Sequence, residues 1–288
     1  LTASNKTYDG TTAGSGSVAL SGVVSGDTVG TTAGTWTFAD RNAGTGKTVT
    51  VSGVGLTGAD AGNYTVTIPA TALADILQRS LTVTLTASNK TYDGTTAGSG
   101  SVALSGVVSG DTVGTTAGTW TFADRNAGTG KTVTVSGVGL TGADAGNYTV
   151  TIPATALADI LQRSLTVTLT ASNKTYDGTT AGSGSVALSG VVSGDTVGTT
   201  AGTWTFADRN AGTGKTVTVS GVGLTGADAG NYTVTIPATA LADILQRSLT
   251  VTLTASNKTY DGTTAGSGSV ALSGVVSGDT VGTTAGTW

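Results

Sequence analysis

From Leu1 to Thr84 the chain spells a unit that recurs without a change from Leu85 to Thr168 and again from Leu169 to Thr252. Leu253 to Trp288 then repeat its opening. Such a period constrains the architecture before any single residue does. A unit of 84 residues is too long for a two-helix or single-blade solenoid repeat and falls within the range of a small autonomous domain. The expected organisation is therefore beads on a string. The domain limits read from the pattern are 1–79 (with the start of its first strand missing), 80–163, 164–247 and an incomplete 248–288. Every copy presents the same surface, so tandem copying adds length, avidity or both. Recent duplication and consensus design both produce such uniformity.

Within a copy, apolar and hydroxyl residues alternate in short runs: Leu81-Thr-Val83-Thr-Leu85, Val18-Ala-Leu20, Trp36-Thr-Phe38, Val49-Thr-Val51 and Tyr64-Thr-Val66-Thr-Ile68. Period-two alternation marks half-buried strands. Thr is β-branched, so it favours the strand while its hydroxyl keeps the outer face wet. Trp36, Phe38, Val49, Val51, Val66 and Ile68 are expected to share one core, with Thr48, Thr50, Thr65 and Thr67 outside. Gly-rich turns separate the runs at Asp9-Gly10, Gly14-Ser-Gly16, Ser25-Gly-Asp27, Gly44-Thr-Gly46 and Gly58-Ala-Asp60. About seven strands per copy result, spaced as in a β-sandwich. Ala70 to Gln78 has some helical character, but it runs straight into a strand pattern and reads as the last strand.

The sharpest local signal is Asp60-Ala-Gly62-Asn-Tyr64 entering a strand, which resembles the tyrosine corner of immunoglobulin-like domains. On that reading Tyr64, Tyr148 and Tyr232 are buried, each hydroxyl bonded to backbone just upstream. Gly62 then permits a turn that a Cβ would obstruct. Trp36, Trp120 and Trp204 resemble the buried strand-C tryptophan of those domains. The fold class is all-β, a tandem array of immunoglobulin-like sandwiches; the alternative is a β-grasp-like sheet crossed by a helix.

Taken in order, Lys6-Thr-Tyr8-Asp9-Gly10-Thr, Ser25-Gly-Asp27, Phe38-Ala-Asp40-Arg-Asn42-Ala-Gly44-Thr-Gly-Lys47 and Gly58-Ala-Asp60-Ala-Gly62-Asn-Tyr64 resemble the YDG-type repeat domain of large bacterial haemagglutinin-like surface adhesins. The resemblance covers nearly the whole copy. It implies an exported, surface-associated array without catalytic residues, accompanied elsewhere by an export domain and a binding tip.

Composition narrows the functions further. Charged residues are 10% of the chain and the net charge is −4, so no basic patch is available for nucleic acid or anionic membranes. Cys, Met and His are absent, which removes disulfides, the easily oxidised side chains, and the usual general base and thiol nucleophile. No apolar run approaches a membrane-spanning length. Asp40 and Asp60 make a thin carboxylate pair, expected to cap turns rather than to catalyse. No cofactor is expected. Calcium is the one ion with candidates, Asp9, Asp40, Asn42 and Asp60, yet they form no recognised loop. Lys47 with an Asp is a candidate isopeptide pair, and the T-x-T runs raise ice binding, which sheet twist opposes. The sequons at Asn5, Asn89, Asn173 and Asn257, and at Asn63, are possible glycosylation acceptors.

The functional expectation is a non-enzymatic stalk or spacer, extracellular and at the cell surface. Its partners are neighbouring copies in a longer chain, or other chains of a fibre, and not nucleic acid or the membrane interior. Two alternatives stay open: a multivalent module for carbohydrate or protein, and a laterally assembling fibre subunit. The boundary from Asp75 to Leu85 holds no Gly or Pro, so the connection should be stiff and each domain should span about 35–40 Å. The chain is expected to be a window on a longer array, with strand donation by a neighbouring chain as the alternative.

Overall fold

The computed structural model describes residues 1–284 and 286–288. The chain divides into two compact units, Leu1–Lys90 with Thr95–Ile160, and Thr91–Gly94 with Leu161–Trp288. All regular structure among the described residues is strand, apart from the short 3-10 turns Ala61–Asn63, Ala145–Asn147 and Ala229–Asn231. The all-β expectation holds, and the helix that a β-grasp layout needs is missing among those residues.

The second unit holds one complete sandwich, the third copy. Its larger sheet runs Lys174–Thr175, Thr239–Leu245, Gly212–Ser220, Thr203–Phe206. Its smaller sheet runs Gly184–Ser189, Arg163–Ala171, Tyr232–Val234. Trp204 pairs with Val219 and Phe206 with Val217, so all four side chains leave the same face of the pleat. They join Ala242 and Ile244 in the core, with Leu169, Ala171 and Val186 of the smaller sheet packed against it. The intervening Thr203, Thr205, Thr216 and Thr218 face out. A bulge between Gly212 and Lys215 ends the regular pairing there.

In the first unit the first copy repeats the larger sheet with Lys6–Thr7, Thr71–Leu77, Gly44–Ser52 and Thr35–Phe38. Thr71–Leu77 belongs to that sheet, while Arg79–Ala87 is the central strand of the next copy's smaller sheet. The changeover falls at Gln78, with no spacer between the two strands. Trp36, Phe38, Val49 and Val51 are buried together, and Thr48, Thr50, Thr65 and Thr67 are exposed.

Val66 and Ile68 depart from the expected core. Val66 is 39% exposed, and Ile68, Val150 and Ile152 are half-buried. Tyr64–Val66 carry no ladder, and in the second copy Tyr148–Val150 form the outer strand of the smaller sheet, held by three parallel pairs. The proline that follows Ile68 or Ile152 has no N–H with which to continue the ladder.

Candidate functional site

In the YDG segment itself, Lys6 lies on the edge strand beside Thr71–Leu77. Its Nζ sits 5.7 Å from the Phe38 ring centre, pairs with Asp9 at 2.7 Å, and donates to the carbonyls of Thr11 and Ala13 at 2.9 and 2.8 Å. Asp9 Oδ1 accepts the Thr11 N–H at 2.9 Å, and Gly10 takes a φ of 79°, where a side chain would be strained. This bracing fixes the backbone around Tyr8. Thr7 points to solvent and the Tyr8 ring turns inward, fully buried.

The Tyr8 hydroxyl passes beyond its own copy and donates to Asp111 Oδ2 of the second copy at 2.7 Å. The same oxygen accepts the Tyr148 hydroxyl at 2.6 Å. The two rings meet edge to face, 5.3 Å apart at 77°, a favoured aromatic geometry. Arg41 of the first copy donates to Asp111 Oδ1 at 3.0 Å and to Asp144 Oδ1 at 2.9 Å. Ala43 N–H donates to Asn147 Oδ1 at 2.8 Å, and Gln78 Nε2 to the Gly146 carbonyl at 2.9 Å. The Asp111 side chain has no exposed surface, while the Arg41 side chain is 41% exposed. One apolar cluster runs through the junction, from Tyr8 and Ile76 to Leu81 and Tyr148. These residues form a clasp with halves from successive copies.

The electrostatics follow from burial and charge-assisted bonding. Burial alone raises a carboxyl group's pKa. At Asp111 the hydroxyls of Tyr148 and Tyr8 and the Arg41 guanidinium outweigh it, and the group titrates below the usual carboxylate range. Tyr8 is pushed up to about 12, first by burial and then by its bond to Asp111. Tyr148 is raised by the same causes in the same order.

The second unit repeats these contacts. Tyr92 and Tyr232 donate to Asp195 Oδ2 at 2.7 and 2.6 Å, with rings 5.4 Å apart. Tyr176 donates to Asp279 at 2.6 Å. Tyr8 and Tyr92, both held in a clasp, are 0% exposed.

Several expectations about the site change. Tyr148 and Tyr232 are buried at 3% exposure, but Tyr64 is only half-buried. Their hydroxyls do not reach backbone just upstream. Tyr148 accepts the Val108 N–H at 2.9 Å, 40 residues back, and donates to a carboxylate. Gly62 takes no positive φ, and a Cβ there would meet open space, so the turn does not demand glycine. Asp60 accepts the Thr28 N–H at 2.9 Å; its equivalent Asp144 also holds Arg41. Trp36 and Trp120 are buried as expected, each Nε1 bonded to a carbonyl three residues earlier at 3.0 Å; Trp204 matches at 3.1 Å.

Asp9, Asp40, Asn42 and Asp60 are not brought together. Among the described residues no three acidic side chains gather in metal-binding geometry. Lys47 forms an ion pair with Asp40, half-exposed at the surface, not the enclosed pair that cross-linking chemistry needs. Asn5, Asn89 and Asn173 are exposed, but each carboxamide accepts the N–H of Asp75, Asp159 or Asp243. Asn257 is exposed. Of the Asn63 equivalents, Asn147 and Asn231 are buried, which closes them to a glycan. The sequence reading missed Tyr8, Arg41 and Asp111 as a set. The only available signal was a Tyr in the braced motif and an Asp in a Gly-rich turn, on different copies.

The family model of the YDG domain matches residues 1–72, 78–156 and 162–240. No curated protein matches. Among solved structures, the crystal structure of the I9–I11 tandem from titin aligns with 86% of this chain and 98% of that chain, at 11% identity and a TM-score of 0.20. That superposition is too loose to describe either fold.

Proposed function

Since the chain belongs to the YDG domain family, we propose that it is a structural spacer, the stalk of a secreted bacterial surface adhesin or filament. It is a tandem-repeat β-protein, and its neighbouring copies share a boundary instead of a linker. The observation that carries the proposal is the enclosed Asp111 carboxylate, which accepts hydrogen bonds from the hydroxyls of two copies and from a guanidinium of the first. Bending between those copies has to break bonds to a buried charge, which costs several times what an exposed pair does. Stiffness is the property a spacer needs, and the chemistry of the clasp is turned wholly inward. Trp36 and Tyr8, which a lectin-like surface would use, lie in the core. The extracellular, cell-surface setting rests on the composition and on the resemblance of the motifs.

Electron micrographs of the purified chain test the mechanical half. Straight particles that bend sharply only in Asp111→Ala support it; unaltered chains kinking freely at copy boundaries would refute it. Antibody labelling of intact, unpermeabilised cells tests the location, and labelling that appears only after permeabilisation would exclude the cell surface.

A further inference from the structure

In the third copy the chain enters at Arg163 and leaves at Leu245, and the strands at both points are interior to their sheets. The entry strand Arg163–Ala171 lies between two partners in the smaller sheet. Its first three residues pair parallel with Tyr232–Val234, and the next six pair antiparallel with Gly184–Ser189. The exit strand Thr239–Leu245 lies between Lys174–Thr175 and Gly212–Ser220 in the larger sheet. Neither is an edge strand. The same order recurs in the other copies: Arg79–Ala87 is flanked on both sides in the second, and Thr71–Leu77 on both sides in the first.

Direction matters as much as order. Past Ala171 the chain crosses to the larger sheet, where Lys174 pairs with Ile244 and Thr175 with Leu245, in parallel. The Tyr176 N–H extends that contact, donating to the Leu245 carbonyl at 2.8 Å. The exit therefore sits beside the far end of the entry segment, a strand's length from Arg163. A pull on the chain draws Arg163 and Leu245 apart along their own strands. The pairs that hold those strands are then loaded together, in shear. An antiparallel hairpin pulled at its open end, by contrast, loads one pair at a time. Side chains add to the grip, because sliding either strand drags Leu165, or Ala242 and Ile244, out of the core. Arg163 Nε would also lose the Gly190 carbonyl, to which it donates at 2.9 Å.

We propose that the copy is a load-bearing clamp, which keeps its fold under tension along the chain by holding its entry and exit strands in shear. Resistance to stretching is a separate property from resistance to bending. It stands on sheet order within one copy and not on the clasp between copies, and it holds whatever the chain is anchored to.

The chain has no Cys of its own, so a pair of introduced cysteines fixes where force is applied. In single-molecule force spectroscopy of the intact chain, Gln162→Cys with Gln246→Cys pulls the third copy along its strands. Thr203→Cys with Ser220→Cys pulls apart two cross-strand partners at the open end of a hairpin. All four positions are exposed, and the core is untouched in both variants. Forced unfolding reads the barrier and not the equilibrium stability, so the two are compared at one loading rate. Axial pulling should give a single rupture with a gain of about 250 Å, the extended length of a copy less its folded span. The hairpin should open at less than half that force, with a gain of about 50 Å. An axial force less than twice the hairpin force, or axial extension in several short steps, would overturn the proposal.

Discussion

Asp111→Ala removes the acceptor on which the clasp converges, and Asp27→Ala is its internal control. Asp27 is the same residue in the first copy, where its carboxylate accepts the Tyr64 hydroxyl at 2.5 Å. In Asp111→Ala the fully buried Tyr8 hydroxyl loses its acceptor, at about 1–3 kcal/mol. Tyr148 loses a bond to a charged acceptor, at roughly 1.5–3 kcal/mol, but it still accepts from Val108. Arg41 is partly exposed and keeps Asp144, so its share is below about 1 kcal/mol. Together these give about 2.5–7 kcal/mol, a range that includes the cost of breaking a buried charged pair. Asp27→Ala should cost about 1–1.5 kcal/mol. In scanning calorimetry of the intact chain, Asp111→Ala should split off a transition about 10 °C or more below the rest, and Asp27→Ala one displaced by about 4–8 °C. Equal shifts for the two variants, or less than about 1 kcal/mol for Asp111→Ala, would refute the claim that the carboxylate ties two copies together.

Gly100→Ala should cost about 1–3 kcal/mol, because a Cβ there would lie 2.6 Å from both the Thr86 carbonyl and the Trp120 ring; urea titration checks it, and wild-type stability would contradict the packing. Tyr8 is pushed up to about 12 from 10.0, so its contribution is complete below pH 10. About 2–3 kcal/mol should then fade as pH rises to 12, a loss that Tyr8→Phe should lack in alkaline melting curves. Asp111 titrates low, so its contribution is present above the ordinary carboxylate range and fades as pH falls through its lower folded pKa; acid melting curves of wild type and Asp111→Ala should converge there. Chelation should leave the melting temperature within a degree or two, and a larger fall in EDTA would reveal a structural cation.

The sequence was most legible where structure is local. Alternation in Trp36-Thr-Phe38 and Val49-Thr-Val51 showed which side chains enter the core, since a strand has two faces and a slip of one residue inverts them. Ala70 to Gln78 was legible as a strand, and Thr71–Leu77 is one. Tyr148 was legible as a buried ring but not as a bonded hydroxyl, because Val108 and Asp111 come from a turn far upstream. The clasp was least legible. Tyr8 and Asp111 are separated by 103 residues, more than a full period, and in identical copies any residue has an equivalent partner nearer by. As text Asp111 is one more Asp in a Gly-rich turn; only the fold shows its carboxylate accepting hydroxyls from two copies. Val66 misled because alternation continues past the point where its strand runs out of neighbours.

The second copy contributes to two clasps at once, offering Asp111 and Tyr148 to the copy before it and its own Tyr92 to Asp195. A variant copy must therefore fit neighbours on both sides, and drift at either half meets resistance from a partner that has not changed. Exchange of whole units at the gene level meets no such resistance, because every half matches every other half. Such an array can be lengthened or shortened by entire copies without redesigning a single contact, while its units are kept from diverging.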